Sequence, residues 1–253
     1  MRQLLTLILY EFRTLFLSPV AYVVGFSFSA LMALIFLFLL DDYSRLSQPC
    51  HLMVLFFKSM WLPTVFFLPV ITMRSIASER DNGMLDTFLL LPIRRIWIVL
   101  SKFFVIYFYY IVLWLAVGTF PFIAKCISKE LVLSLQITDG VIVSGGMFFI
   151  FCSSAFFISL GIFISSIVPS QLASTVVSFV VLFFVLVAGQ LFQYVSVQNY
   201  ANNIYMQNIA DISNTFMQVE DFCNGIIDTR VIMFYISTAC LCLVAAARWI
   251  GRR

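Results

Sequence analysis

Residues 140–192 read GVIVSGGMFFIFCSSAFFISLGIFISSIVPSQLASTVVSFVVLFFVLVAGQLF, and this stretch decides the fold class. The charge-free run is longer still, because no Asp, Glu, Lys or Arg occurs anywhere from 140 to 210. A membrane-spanning helix needs roughly 20 apolar residues, so the run is too long for a single span. The Pro169-Ser170-Gln171 segment divides it, which predicts two spans at about 141–167 and 172–192.

The composition of the whole chain agrees with a lipid environment. Of its 253 residues, 62% are hydrophobic and 11% are charged, whereas soluble domains are about half apolar and a quarter charged. Backbone groups in hydrocarbon must be satisfied within the segment, which favours helices. The sequence therefore predicts an all-α integral membrane protein, and it leaves no soluble basic face that would bind nucleic acid.

The remaining spans follow from the same reasoning. They are predicted at about 19–40, 53–73, 98–124 and 229–247, and Pro63 and Pro69 predict a bend in the second of them. Residues 2–17 are apolar but carry charges, which is typical of a helix lying in the membrane interface. Ser18 and Pro19 then read as the cap and first residue of the next helix. We expect one transmembrane domain over 1–253, with six transmembrane helices, an N-terminal interfacial helix and an outer loop at 193–228.

The distribution of basic residues predicts the orientation. With both termini in the cytoplasm, ten Lys and Arg residues lie inside and five lie outside, as the positive-inside rule requires. Both termini are therefore expected in the cytoplasm. Lys58 and Lys102 fall within spans, each near an end, and Lys58 can extend its amino group to the interface.

Residues for catalysis are scarce. The chain has no G-x-x-x-x-G-K-[ST] motif, so it lacks this means of cradling nucleotide phosphates. His51 is its one histidine, which argues against a metal site or histidine-based catalysis. We interpret the six cysteines as small buried hydrophobic residues. A disulfide among Cys50, Cys126 and Cys223 remains an alternative. We expect no catalytic, cofactor or metal residue, and no enzymatic activity in this chain.

The inner loop at 74–95 is the strongest local signal. Its charged start, Ser78-Glu79-Arg80-Asp81, precedes an Asn82-Gly83 turn. Met84, Leu85, Phe88 and Leu89 then recur at helical spacing. This pattern suits a short amphipathic helix that docks to a soluble partner, and an ordinary positive-inside connector is the alternative.

Three segments together resemble a known family. Residues 67–95, FLPVITMRSIASERDNGMLDTFLLLPIRR, resemble the P-x-x-T-M-R…E-x-x-x-G-x-L-[ED]-x-L-L…P segment of ABC transporter type 2 permeases. Glu11 with the Ser18-Pro19-Val20-Ala21-Tyr22 segment is similar to the start of the branch linked to gliding motility and to multidrug or copper-related export. Residues 222–228, FCNGIID, are similar to the F-x-x-G-[VI]-[IL]-D segment before its last span.

The resemblance implies a membrane subunit of an ATP-driven exporter in the plasma membrane, the bacterial inner membrane. Two such permease chains, alike or different, would pair and bind separate cytoplasmic ATPase subunits, which hold the ATP and magnesium. The loop between spans two and three would then supply a cytoplasmic coupling helix, with Glu79, Arg80, Gly83, Leu85 and Asp86 at the ATPase contact. Ser78 departs from the family, which commonly has an acid there. The loop between spans four and five has few charges, so a second contact there would use apolar groups or hydroxyls: Ser165, Ser166, Ser170 or Gln171.

Two alternatives remain open at this point. The chain is a secondary transporter or channel without an ATPase, or it is a structural membrane anchor of an envelope machine. An ATPase encoded beside it would argue against the first, and substrate-dependent stimulation of ATP hydrolysis would argue against the second.

Overall fold

The computed structural model describes residues 2–45, 51–81, 83, 94–127, 140–199 and 213–250. These residues form eleven helices. In chain order they are α1 (Arg2–Leu17), α2 (Pro19–Arg45), α3 (Leu52–Lys58), α4 (Trp61–Met73), α5 (Ala77–Asp81), α6 (Arg95–Val117), α7 (Phe120–Ile127), α8 (Gly140–Ile167), α9 (Gln171–Asn199), α10 (Thr215–Cys223) and α11 (Thr229–Trp249).

Six segments are long and apolar enough to cross a membrane, which confirms the predicted number of spans. Their bounds are Pro19–Asp42, Leu52–Asp81, Arg95–Ala124, Gly140–Ile167, Gln171–Val195 and Thr229–Trp249. Large apolar side chains such as Phe26, Phe38, Leu172 and Phe184 are more than two thirds exposed on these spans. Lipid can cover such apolar surfaces, whereas a protein that exposed them to water would tend to aggregate.

The second span is interrupted where the sequence predicted only a bend. Helix α3 ends at Lys58 and α4 begins at Trp61. Pro63 has no N–H to give to the carbonyl of Ser59, four residues earlier, so the helical ladder fails at that point. Thr64 resumes the pattern by donating its backbone N–H to Met60 O at 3.1 Å. Pro69 lies inside α4 without ending it.

Helix α8 packs against α4, α6, α9, α10 and α11, so it lies at the centre of the bundle. Its small residues explain how so many elements approach it. A Cβ at Gly161 would meet the side chain of Thr72 on α4, and one at Gly146 would meet the ring of Phe57 on α3. Small residues at these two positions of the span thus allow close helix packing.

Aromatic rings fill the interior between α2 and α6. Phe28 and Trp114 are fully buried, and their ring centroids lie 5.6 Å apart in an edge-to-face arrangement. Tyr110 adds a third ring, 6.0 Å from Phe28, and its hydroxyl lies 3.1 Å from that of Thr64. Buried aromatic pairs of this geometry hold the helices in register.

Candidate coupling site

The helix α5 is five residues long, and its N-terminus is capped by another helix. The hydroxyl of Ser165 on α8 accepts hydrogen bonds from the backbone N–H groups of Ile76, at 3.3 Å, and Ala77, at 3.0 Å. The first N–H groups of a helix have no partner within it. Because α5 is too short to be stable alone, this acceptor from α8 fixes its position.

Arg80, near the C-terminal end of α5, also contacts the C-terminal end of α8. Its guanidinium donates to the carbonyl of Ser166 at 2.9 Å and to that of Val168 at 3.3 Å. The last carbonyls of a helix lack partners and carry the negative end of its dipole, so a cation is favoured there. Arg80 therefore holds α5 to the C-terminus of α8.

Asp81 contacts the start of the next helix. Its carboxylate accepts a hydrogen bond of 2.8 Å from the backbone N–H of Gln171, the first residue of α9. An anion is favoured at a helix N-terminus for the same electrostatic reason. The Arg80 and Asp81 side chains thus bind both sides of the break between α8 and α9, which lies at 168–170.

Glu79 belongs to an ion cluster, which we call the lysine triad: Glu11, Glu79 and Lys102. The Lys102 ammonium lies 2.7 Å from Glu11 Oε1 and 2.5 Å from Glu79 Oε1. The lysine side chain is 2% exposed and each carboxylate side chain is 15% exposed. Such a buried charge needs close partners, and the triad joins α1, α5 and α6.

A polar cavity of about 250 Å³ lies beside the triad. The hydroxyl of Ser75 and Oε2 of Glu79 are buried there and have no hydrogen-bond partner among the described residues. At its wall, the Arg74 guanidinium donates to the hydroxyl of Ser18, which links the end of α4 to the α1–α2 junction. Ser18 was predicted as a side-chain cap; in the structure its hydroxyl accepts from Arg74 and its carbonyl accepts the N–H of Ala21.

The predicted site residues divide into three groups. Glu79 and Arg80 lie on α5 and have partners within the chain. Gly83 has a φ of +68°, in the left-handed region that favours glycine, and a Cβ there would meet nothing within 4 Å. Leu85 and Asp86, together with the predicted amphipathic helix, lie outside the described residues. The ATPase contact of all five residues stays a prediction.

Sequence reasoning missed the role of Lys102. We placed it in the first turns of the third span without a partner, whereas the structure buries it in the lysine triad. Lys58 likewise pairs with Glu220 at 2.6 Å. The signal was present, because a lone cation in an apolar span needs a counter-charge. Glu11 and Glu79 are acids on the same predicted side as the start of that span.

The opposite end of the bundle carries a docked cap, the helix α10. Asn214 accepts the N–H groups of Phe216 and Met217 at its start, and Tyr235 donates its hydroxyl to Gln218 Oε1 at 2.6 Å. Added Cβ atoms at Gly145 and Gly189 would strike the carbonyls of Phe222 and Ser213 respectively. Two glycines thus let the cap backbone rest directly on α8 and α9.

Two further expectations bear on this cap and on metal binding. Cys223 is a free thiol, and burial raises its pKa to about 12. A disulfide involving Cys223 is therefore absent from the structure, while Cys50 and the Cys126 side chain lie outside the described part. No group of three His, Cys, Asp or Glu residues that would suit a metal occurs among the described residues.

The fold and this site define the chain as a polytopic helical membrane protein, with six candidate spans and a charged segment that binds the ends of several helices. Its sequence from residue 11 to residue 240 matches the family described as ABC-2 family transporter protein. The chain belongs to the ABC-2 family of transporter proteins. No curated protein sequence matches it. The family match confirms the resemblance drawn from the three segments, and the proposed branch stays a prediction.

Proposed function

We propose that this chain is the permease subunit of an ATP-driven exporter, and that a separate ATPase docks on the loop at 74–95. The arrangement of α5 supports the proposal most directly. Its Glu79, Arg80 and Asp81 side chains contact α6 and the ends of α8 and α9, and Lys102 extends the link from Glu79 to Glu11 on α1. ATP and magnesium would be held by the partner, and this chain would contribute only contacts that differ between two conformations.

The mechanism follows from these contacts. A displacement of the 74–95 loop by the ATPase would be transmitted first to α5. Because Arg80 and Asp81 bind both sides of the α8–α9 break, α5 cannot move without moving those helix ends or breaking charge-assisted bonds. Through Glu79 the same displacement reaches Lys102 on α6 and Glu11 on α1. One short helix would thus distribute the motion to several spans.

The remaining partners are a second permease chain and the membrane lipid. The apolar surfaces of α2, α9 and α11 support both, since only about a quarter of these spans is buried within the chain. The transport path would form between two such subunits. Substrate-dependent ATP hydrolysis by the assembled complex would separate an exporter from a membrane anchor, and ATP-independent flux would favour a secondary transporter or channel.

The proposed orientation places both termini and the α5 end of the bundle in the cytoplasm of a bacterium. The excess of Lys and Arg on that side supports it. A cysteine at position 84 in a cysteine-free background should react with a membrane-impermeant maleimide only after the cells are opened. Labelling from outside in intact cells would contradict the orientation.

Exchanging the side chains of α5 tests the coupling role. In Arg80→Gln stimulated ATP hydrolysis and transport should fall together, because the bonds that hold α5 to the end of α8 are lost. In Gly83→Val, or in Glu79→Arg combined with Leu85→Asp, we expect the docking surface to change and co-purification to fall. Arg230→Gln is the matched control, since Arg230 is exposed at the start of α11, outside this loop.

Insertion and thermal stability are measured in the same preparations, so that misfolding is recognised. A cross-linker at position 85 should capture a protein that carries a phosphate-binding loop, and one at exposed Ile226, at the opposite end, should not. If all variants insert, bind the ATPase and transport normally, the coupling role of this loop is wrong.

A further inference from the structure

The polar cavity beside the lysine triad, about 250 Å³ in volume, is lined by charges of both signs. Two acids and two bases contribute to its wall: Glu11, Glu79, Arg74 and Lys102. Their formal charges cancel, and no other charged side chain lines the cavity in the described part of the chain. Because two carboxylates share one ammonium, the triad is negative by one charge. Arg74 supplies the balancing positive charge, so the cavity is neutral overall with a negative and a positive pole.

Glu11 is the accessible part of the negative pole. Its Oε1 accepts a hydrogen bond of 2.7 Å from Lys102, and its Oε2 has no hydrogen-bond partner among the described residues. Oε2 of Glu79 is enclosed by protein atoms, whereas Oε2 of Glu11 is not. A carboxylate oxygen favours a charged N–H donor, with which it forms short and strong hydrogen bonds. The negative pole can therefore accept a second ammonium group, supplied by a ligand.

Arg74 forms the positive pole, and it pairs with no carboxylate among the described residues. Its guanidinium donates to the neutral hydroxyl of Ser18, which leaves most of its N–H groups for other acceptors. The Arg74 side chain is half-buried, and a charge in such a position needs a partner. A phosphate is well suited to it, because phosphate oxygens match the planar guanidinium.

The two poles lie along the C-terminal half of α1. Glu11 and Ser18, which directly follows α1, are seven residues apart, and this corresponds to about 10 Å along a helix axis. A ligand that carries an ammonium and a phosphate on a short chain can bridge such a gap, with a hydrogen bond of about 2.8 Å at each end. The wall also includes the apolar Leu15 and Ile71. Leu17, which is 80% exposed beside Ser18, continues this apolar surface outward.

We propose that this cavity binds the headgroup of phosphatidylethanolamine. The phosphate accepts hydrogen bonds from the Arg74 guanidinium, and the ammonium donates to Glu11 Oε2. The half-buried hydroxyl of Ser78, which also lines the cavity, provides a further donor for a phosphate or ester oxygen. The glycerol and acyl chains leave the cavity past Leu17, along the apolar surface of α1. The lipid thereby links α1 to the junction between α4 and α5.

Charge and hydrogen bonding favour this lipid over related ligands. Phosphatidylglycerol has a phosphate but no cation, so it leaves the negative pole without a partner. The choline group of phosphatidylcholine is positive but has no N–H to donate. Free phosphoethanolamine has the same polar groups as the lipid, yet it leaves the exposed apolar surface at Leu17 uncovered. The proposal rests on the cavity alone and does not depend on ATPase coupling.

Lipid retention by the purified full chain tests the proposal. The chain is exchanged into micelles that contain equal amounts of phosphatidylethanolamine, phosphatidylcholine and phosphatidylglycerol, and the bound lipids are counted by native mass spectrometry. We expect the wild type to retain phosphatidylethanolamine preferentially. Arg74→Gln should reduce phosphatidylethanolamine retention about fivefold, the factor that one basic side chain contributes near an anionic headgroup. Arg13→Gln is the matched control and should leave retention unchanged, because Arg13 is exposed on α1 outside the cavity.

Two further variants test the negative pole and the cavity itself. Glu11→Gln should abolish the preference for phosphatidylethanolamine over phosphatidylglycerol, because the oxygen that faces the ligand no longer carries a charge. Ser78→Leu occupies cavity space without changing a charge, and it should reduce phosphatidylethanolamine retention as well. Excess phosphoethanolamine should not displace the lipid. Displacement would identify a soluble zwitterion as the ligand and overturn the lipid assignment.

Three other results would overturn the proposal: equal retention of the three lipids by the wild type, wild-type retention by Ser78→Leu, or equal loss in Arg74→Gln and Arg13→Gln. Thermal stability in lipid-free detergent is measured for each variant. If Arg74→Gln or Glu11→Gln unfolds at a lower temperature than the wild type, the Ser78→Leu result decides.

Discussion

Replacing Lys102 by methionine removes the one cation of the lysine triad while keeping the length of the side chain. Glu11 and Glu79, each 15% exposed, then face one another without the ammonium that lies 2.7 and 2.5 Å from them. Each carboxylate must find water or take up a proton, and both responses cost free energy. We expect the folded state to lose stability and α5 to lose its link to α6.

The size of the effect follows from burial. Removing one partner of a buried ion pair costs about 3–5 kcal/mol, because a charge is left without compensation. The pair of Lys58 and Glu220 provides a matched comparison, with side chains 27% and 39% exposed. Exposed pairs contribute about 0–1 kcal/mol, so Lys58→Met should be several-fold milder than Lys102→Met.

The free energy of unfolding in mixed detergent micelles, followed by tryptophan fluorescence, provides the measurement. The triple variant Lys102→Met, Glu11→Gln, Glu79→Gln should recover most of the loss, since a neutral set of similar shape avoids the uncompensated charge. Two results would refute the reasoning: equal effects of Lys102→Met and Lys58→Met, or a triple variant no more stable than Lys102→Met alone.

Three further predictions concern the cap and the missing nucleotide site. Gly189→Val should displace the cap helix α10, because the new Cβ meets the backbone carbonyl of Ser213. Maleimide labelling of Cys223 should therefore increase. Gly140→Val is the control and should leave the labelling unchanged, because a Cβ at Gly140 meets nothing within 4 Å. Burial raises the pKa of Cys223 to about 12 and so disfavours the thiolate. Maleimide labelling of Cys223 should therefore stay low from about pH 7 to about pH 9, while labelling of Ile226→Cys should increase with pH, as expected for an ordinary thiol with a pKa of about 8.5. An equal increase in the labelling of both thiols would contradict the burial of Cys223. The purified chain alone should hydrolyse no ATP, because it has no phosphate-binding loop; hydrolysis that survives removal of contaminating ATPases would show this to be wrong.

The spans were predictable because each depends on a local property, a run of apolar residues of sufficient length. The charge-free run from 140 to 210 was divided correctly at Pro169, since a proline and two polar residues interrupt it. The break before α4 was predicted only as a bend. Two prolines six residues apart do not by themselves reveal which one disrupts the helical hydrogen bonds. The helix is interrupted next to Pro63, whereas Pro69 lies inside α4.

The contacts of α5 were harder to predict because they join distant parts of the chain. Arg80 and its Ser166 acceptor are 86 residues apart, and Lys102 and Glu11 are 91 residues apart. Sequence placed Ser165, Ser166 and Gln171 in a second contact mediated by hydroxyl or polar groups, and the structure shows all three meeting α5. Their expected contact with the ATPase stays a prediction.

The hydrogen bonds between the start of α5 and Ser165 on α8 also constrain the order in which the protein folds. Residues 77–81 leave the ribosome well before residues 165–171, yet the short helix needs Ser165 to satisfy its first N–H groups. Such a helix is not stable by itself, so it completes its fold only after the fourth and fifth spans have been inserted. A nascent chain with fewer spans therefore has no finished α5.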